Sequence, residues 1–202
     1  RGWRLALARA ARDAMGLDLD FRSLTIARQG LAEVLEIVPD RALLALLDGP
    51  AGGLGVIMLS PSVTATFIER QTLGRLAAQA PAPRKASRID AAMVAGVIDR
   101  ALAGLDETLA EEADLAWAGG FRYASYLEDA RPLALMLEDE AYRVLSAEVL
   151  LGGGGRAGQG RQRGGRRRGP AEAGEEVGCH LITDVVDLLS DEVRVERLPV
   201  DD

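Results

Sequence analysis

Few side chains in this sequence could form a metal or catalytic centre. The chain contains one histidine, His180, directly after its one cysteine, Cys179. Two adjacent residues cannot hold zinc without further ligands, and no other ligands stand at a suitable spacing. A serine or cysteine nucleophile needs a neighbouring base, and His180 has no candidate partner. We therefore expect this pair to be incidental, and we predict no catalytic residue, no metal site and no cofactor.

Two further patterns suggest chemistry but have simpler explanations. Gly52-Gly53-Leu54-Gly55 lies between two predicted strands rather than before a helix, so we favour a hairpin turn over a phosphate-binding loop. The acidic group of Glu111, Glu112 and Asp114 is typical of a solvated helix end. A hydrolase built on paired acids would need another carboxylate across a cleft, which the sequence alone does not identify.

A tract of glycine and arginine follows residue 151. Arg163-Gly164-Gly165 and Arg166-Arg167-Arg168 resemble RNA-binding repeats, which hold phosphates by charge. No aromatic residue lies between Gly152 and Gly178, and charge without stacking side chains gives only non-specific binding. We therefore favour a disordered linker over residues 152–178, or a locally altered reading frame, and we expect no nucleic-acid partner.

Composition limits the remaining classes of protein. The chain has 202 residues, which is enough to bury one good-sized core. Its net charge of −7 is not typical of a nucleic-acid-binding protein. One cysteine excludes an internal disulfide framework. No apolar run suits a membrane helix and no secretory signal is present, so we expect a soluble cytoplasmic protein. Because the first residue is Arg1 rather than Met, we expect that an N-terminal portion is missing.

The strongest structural signal is a long helix that begins after Ser87. Ser87 can cap the first amides of this helix, and Asp90 can reach back to the cap amide. Its apolar residues recur at helical spacing: Ile89, Met93, Val94, Val97, Ile98, Ala101, Leu102, Leu105 and Leu109. So broad an apolar face predicts a helix that is covered on more than one side and is central to its domain. Asp99, Asp106 and Glu107 fall outside this face and should meet water.

The residues before the long helix predict a series of elements. They are a helix from Trp3 to Met15 closed by Gly16, a strand over Leu17–Phe21 whose alternation weakens towards Gly30, a hairpin of Ala42–Asp48 with Leu54–Leu59, and a helix opened by Ser60-Pro61 that runs to about Leu76. Leu31 to Val38 suits either a helix or a strand, and we favour the helix. Both hairpin strands are almost continuously apolar, so both faces of the sheet should be covered.

The residues after the long helix predict a similar unit. An alternating strand spans Phe121 to Leu127, and Leu133–Leu137 forms a second hairpin with Tyr142–Leu151. We interpret residues 1–151 as one α/β domain of two similar halves, each with a helix and antiparallel strands. Residues 179–202 form a short C-terminal segment, with a helix over 181–189 and a strand over 193–198, which is too little for a second domain.

The order of these elements resembles the middle domain of the flagellar motor switch family FliM, which is similar in fold to the CheC and CheX phosphatases. The residues that carry the resemblance are 42–48, Gly55-Val56-Ile57-Met58-Leu59-Ser60-Pro61, the helix from Val63 to Gly74, Arg84-Lys85-Ala86-Ser87-Arg88-Ile89-Asp90 and Trp117. The resemblance covers residues 1–151. It implies a CheC-like α/β/α fold with pseudo-two-fold symmetry, in which the Arg/Gly tract replaces the last strand and helix and residues 179–202 are an incomplete or degraded C-terminal domain.

The resemblance also implies a function. Members of the family act in the flagellar basal body, at the cytoplasmic face of the inner membrane, where they couple chemotaxis signalling to the direction of rotation. The implied partners are the rotor protein FliG, FliN and neighbouring FliM copies, and phosphorylated CheY through an N-terminal peptide that this chain lacks. The FliG contact falls on Gly74, Arg75 and Leu76, although Thr72-Leu73-Gly74-Arg75-Leu76 stands where the family carries a Gly-Gly-x-Gly loop.

A phosphatase role is less favoured by the same resemblance. CheC-type phosphatases need a Glu and an Asn three residues apart on one helix face. This chain contains no Asn, so the acids Asp90, Asp99 and Asp106 of the long helix have no such partner. We therefore expect a binding and mechanical role rather than an enzyme, with a CheC-like phosphatase or an RNA-associated protein as the alternatives.

Overall fold

The computed structural model describes residues 1–77, 82, 84–151 and 177–184. The helices are α1 (Gly2–Met15), α2 (Leu31–Glu36), α3 (Pro61–Leu73), α4 (Arg88–Leu109), α5 (Leu115–Ala118) and α6 (Leu133–Met136). The strands are β1 (Leu19–Gly30), β2 (Leu43–Asp48), β3 (Leu54–Leu59), β4 (Arg122–Leu127), β5 (Ala141–Leu151) and β6 (Val177–Asp184). No helix in this described part of the chain is long and apolar enough to span a membrane.

The six strands form one antiparallel sheet in the order β1-β5-β6-β3-β2-β4. The first half of the chain supplies the hairpin β2–β3, and the second half supplies the hairpin β5–β6. The leading strand of each half pairs with the hairpin of the other half, because β1 lies beside β5 and β4 lies beside β2. The predicted α/β fold of two similar halves is confirmed, and the halves exchange their first strands.

Alternation along the strands divides the interior into two cores. Leu43, Ala45 and Leu47 of β2 face the core under α1, α3 and α4. Leu44 and Leu46 of the same strand face the opposite core, to which α2 and α6 contribute Val34 and Leu133. All five of these β2 side chains are buried, which explains why the strand is continuously apolar in sequence. The result is the expected α/β/α arrangement of layers.

Helix α4 lies at the centre of its layer, as its broad apolar face predicts. Nine of its residues are buried: Asp90, Ala91, Val94, Val97, Ile98, Ala101, Leu102, Leu105 and Leu109. It packs closely on α1, where a Cβ added at Gly104 would lie 3.6 Å from the Cβ of Ala6. Ile89 was expected on the apolar face but is 72% exposed, because it lies in the first turn and on the outer side of the helix.

The start of α4 contains the capping box that the sequence predicts. The amide of Asp90 donates to Ser87 Oγ at 3.3 Å, and the amide of Ser87 donates to Asp90 Oδ2 at 2.7 Å. Arg84 adds two bonds to the carboxylate, at 2.6 and 2.8 Å. The Arg84 guanidinium and the Ser87 donors hold the pKa of the buried Asp90 at about 2, although burial alone would raise it. This cap therefore holds residues 84–87 against the first turn of α4.

Three predictions about the second half are wrong. Leu133–Met136 is the helix α6 and not a strand, so β5 pairs with β1 and β6. Val177–Asp184 is the strand β6, which corrects the helix predicted over 181–189 as far as residue 184. Because β6 lies between β5 and β3, residues 177–184 belong to the sheet and not to a linker or a separate segment, and the last strand of the domain is present.

Smaller differences concern the ends and faces of helices. α3 ends at Leu73 rather than near Leu76, because Gly74 adopts a left-handed conformation. Asp99 and Asp106 do not simply meet water, since both accept hydrogen bonds from the backbone around β4. The predicted disordered linker over residues 152–176 and the strand predicted over 193–198 lie outside the described residues.

The position of β6 predicts the effect of shortening the chain. A chain that ends at Asp184 should unfold cooperatively on heating. A chain that ends at Leu151 leaves β3 and β5 without their shared partner, so its thermal midpoint should fall by about 10 °C or more, or its transition should lose cooperativity. Circular dichroism melts of the two chains provide the measurement, and equal midpoints would contradict the placement of β6.

The Asp90 cap predicts a dependence of stability on pH. Asp90→Asn should lower the free energy of unfolding by about 1–2 kcal/mol at neutral pH, because it removes a charge-assisted network. A lowered pKa stabilises the folded state fully above the unfolded value of 3.8, and this contribution is lost as the pH falls towards about 2. The difference between wild type and Asp90→Asn in urea titrations should therefore be constant above pH 5 and shrink below pH 4. A difference that stays constant down to pH 2.5 would contradict this account.

Candidate functional site

Helix α3 is positioned by specific residues at both of its ends. Ser60 accepts a hydrogen bond from the amide of Val63 at 3.4 Å, and Pro61 occupies the first helical position. At the other end, Gly74 has a φ of 66° and donates its amide to Arg70 O at 3.0 Å. Only glycine adopts this left-handed conformation at little cost. The direction in which the chain leaves α3 is therefore set by Gly74.

Arg70 joins the C-terminal ends of two helices. Its Nε donates to Met15 O at 2.8 Å and its Nη2 to Gly16 O at 3.0 Å, both at the end of α1. Its Nη1 also donates to Gly74 O, just beyond the end of α3. The last carbonyls of a helix lack partners within the helix and carry partial negative charge, so a guanidinium is well suited to bind them. Arg70 thus fixes the end of α3 against α1.

The chain beyond Gly74 is anchored on both sides of an exposed turn. The amide of Ala77 donates to Glu69 Oε1 at 2.6 Å, and Leu76 is half-buried against the core under α1 and α4. Leu73 is 60% exposed, and Arg75 is exposed as well. Of the three residues predicted to contact a partner, Gly74 and Arg75 therefore lie at the surface, whereas Leu76 anchors the turn.

Leu73 was not singled out by the sequence. The buried residues of α3 are Val63, Thr64 and Phe67, and continuing their helical spacing leads past Leu73 rather than to it. The sequence signal for this exposure is that Leu73 is apolar but out of phase with the buried residues of α3. We name Leu73, Gly74 and Arg75 the α3-end surface.

A shallow depression of about 510 Å³ lies beside the α3-end surface. Its lining residues come from α1, α3 and α4: Ala14, Met15, Arg70, Gln71, Gly74, Met93, Gly96, Val97 and Arg100. Most of these side chains are apolar or small, and no acidic residue is among them. Arg70 is committed to the carbonyls at the helix ends. The depression therefore suits contact with a protein better than binding of a metal ion.

The three aspartates of α4 are engaged in structural bonds. Asp99 Oδ1 accepts the amide of Tyr123 at 2.8 Å. Asp106 accepts the amide of Gly120 at 2.8 Å and a guanidinium bond from Arg122 at 2.9 Å. Among residues 1–77, 82, 84–151 and 177–184, no group of three His, Cys, Asp or Glu side chains could hold a metal ion. The carboxylates that looked available for chemistry in the sequence hold the edge strand β4 to α4.

Known proteins were compared with this chain by sequence and by structure. No protein-family model matches the sequence, and a search of curated proteins finds no match either. Among solved structures, the chain is similar to one from a FliG–FliM complex of H. pylori, with a TM-score of 0.64, 14% identity, and coverage of 90% of this chain and 86% of that one.

Two further solved structures share the fold. The FliM middle domain of Vibrio alginolyticus has a TM-score of 0.54 and 12% identity over 90% of each chain. FliY of Thermotoga maritima has a TM-score of 0.54 and 12% identity over 89% of this chain and 83% of that one. At this level of identity the comparisons establish the fold, and they confirm the FliM-like fold that the sequence resemblance implied.

The bonds of Arg70 predict a stability effect. Arg70→Leu should lower the free energy of unfolding by about 1–2 kcal/mol, because the carbonyls at the ends of α1 and α3 lose a charged donor. Arg75→Leu, which removes an exposed guanidinium from the same turn, should change it by less than about 0.5 kcal/mol. Urea denaturation of both variants gives the comparison, and equal losses would show that the helix ends do not depend on Arg70.

Proposed function

We propose that this chain is a flagellar motor switch subunit that contacts the rotor protein FliG through the α3-end surface. The observation that carries the proposal is the FliM-like fold over about 90% of the chain, shared with a protein solved as a FliG–FliM complex. The turn at Gly74 is the position at which the sequence resemblance implied a FliG contact. An exposed leucine and an exposed arginine on this turn support the same assignment.

The α3-end surface has properties that favour protein binding. Leu73 offers apolar area that folding leaves unused, and Arg75 offers a charge that can bond to a carboxylate or a carbonyl on a partner. The bonds of Arg70 and the left-handed Gly74 hold the backbone between them in one conformation. Because a turn held in this way loses little conformational entropy on binding, a small contact can still be specific.

We assign no catalytic step to this chain. The three aspartates of α4 accept hydrogen bonds from the Ser87 cap, from the backbone around β4 and from Arg122. No Asn is present to complete the pair that positions water in a CheC-type phosphatase. These observations support a mechanical role, in which switching is a change in the packing of neighbouring subunits.

The proposal includes the remaining partners implied by the resemblance. In it, FliN and neighbouring FliM copies pack beside the subunit in a ring in the flagellar basal body, at the cytoplasmic face of the inner membrane. Phosphorylated CheY would act through an N-terminal peptide of the switch protein and bias how the ring packs. The described residues would form the part of the subunit that transmits this bias to FliG.

Binding to FliG tests the proposal directly. Leu73→Asp in the full chain should weaken binding to the FliG of the same organism about tenfold or more, because burying a leucine contributes about 1.5–3 kcal/mol. Leu5→Asp provides a matched control, since Leu5 is an exposed leucine of α1 outside the α3-end surface. Isothermal titration calorimetry measures both affinities. Absence of binding by the wild-type chain, or equal loss in the two variants, would contradict the proposal.

A further inference from the structure

Helix α6 presents an apolar pair on the face of the sheet opposite α3. Leu135 is 90% exposed and Met136 is 42% exposed, whereas Leu133 and Leu137 on either side are buried in the core shared with α2. The residues of this short helix therefore divide into a buried pair at its ends and an exposed group between them. Burial of Leu133 and Leu137 stabilises the fold, and Leu135 contributes almost nothing to it. We name Leu135 and Met136 the α6 knob.

The backbone that carries the α6 knob is held at both ends. Before the helix, the carboxylate of Asp129 accepts the amide of Arg131 at 3.0 Å and a guanidinium bond at 2.8 Å. After it, the hydroxyl of the buried Tyr142 donates to Glu138 O at 2.7 Å. The knob is thus displayed in one conformation by a turn whose neighbours are fixed. A partner would lose little affinity to the ordering of this turn.

Acidic residues flank the α6 knob in the chain. Residues 128–140 contain five acidic side chains, Glu128, Asp129, Glu138, Asp139 and Glu140, and one basic side chain, Arg131. Arg131 is paired with Asp129, and Arg41 and Lys85 line a depression together with Glu128 and Asp129. The negative charge beside the knob therefore depends on Glu138, Asp139 and Glu140. The neighbouring helix α2 adds the exposed Glu33 and Glu36. A protruding leucine flanked in the chain by exposed carboxylates is complementary to an apolar pocket that is rimmed by lysine or arginine.

We propose that the α6 knob docks into an apolar, basic-rimmed groove on a second protein partner. Leu135 enters the groove with Met136 beside it, and the flanking carboxylates pair with the basic rim. The apolar contact would supply most of the affinity, while the charges would speed association and make it sensitive to salt. Because α6 and α3 lie on opposite faces of the sheet, this contact leaves the α3-end surface free, and one subunit can hold two partners at once.

A synthetic peptide that is both apolar and basic tests whether the α6 knob binds such a surface, and the natural partner need not be known. The probe is a fluorescent helical peptide of leucine and lysine, and its control is the same peptide with glutamate in place of lysine. The wild-type full chain should bind the lysine peptide, more weakly in high salt, and should not bind the glutamate peptide. Leu135→Ser should weaken binding about tenfold without lowering the thermal midpoint, because Leu135 is not part of a core.

Matched variants distinguish binding at the α6 knob from non-specific attraction of the lysine peptide to an acidic protein. Ile89→Ser removes another strongly exposed apolar side chain, on α4, and should leave binding unchanged. Replacing Glu138 and Asp139 by lysine should weaken binding more than the same change at the exposed Glu111 and Glu112. Fluorescence anisotropy gives the affinities. Equal binding by wild type and Leu135→Ser, or equal effects of the two charge-reversed pairs, would overturn the proposal.

Discussion

Hydrogen bonding between β3 and β6 is the interaction on which the rest of the structure depends. Each half of the chain sends its first strand to the other half, so each half on its own is an incomplete sheet. The pairing of residues 55–59 with 179–183 closes this exchange in the middle of the sheet. Without it, the sheet divides into two three-stranded pieces. The hydrophobic cores on both faces would then no longer pack on one continuous sheet. This central pair therefore contributes to the position of the two helix layers relative to each other, together with β1, which contacts both α1 and α2.

The helix layers then carry the two surfaces in fixed positions. α3 is held to α1 by the bonds of Arg70, and α4 is started by the network of Arg84, Ser87 and Asp90. On the other face, α6 is held by its buried leucines and by Tyr142. Each surface therefore combines exposed apolar side chains with a backbone whose conformation is set by bonds behind it. In the function that we propose, this combination allows the subunit to pass changes in packing between its neighbours.

Charged side chains in this protein serve positioning more than chemistry. Asp90, Asp99 and Asp106 lie along one helix and could suggest an acidic site. In the structure they bind a cap, a strand backbone and an arginine, respectively. The carboxylate of Asp99 also satisfies an amide on the edge strand β4, which covers part of an edge that could otherwise pair with another chain. An acidic residue on a helix thus identifies a candidate site only after its partners are known.

Features that depend on neighbours in the chain can be predicted from the residues alone. The caps at Ser60 and Ser87, the stop at Gly74 and the hairpin of β2 with β3 all follow from residues a few positions apart, because capping bonds and tight turns are local. Tertiary structure determines the partners of β5, the strand conformation of Val177–Asp184 and the exposure of Leu135. Strand pairing across a long tract, and the burial of a given leucine, depend on which distant surfaces meet, and no local pattern records that choice.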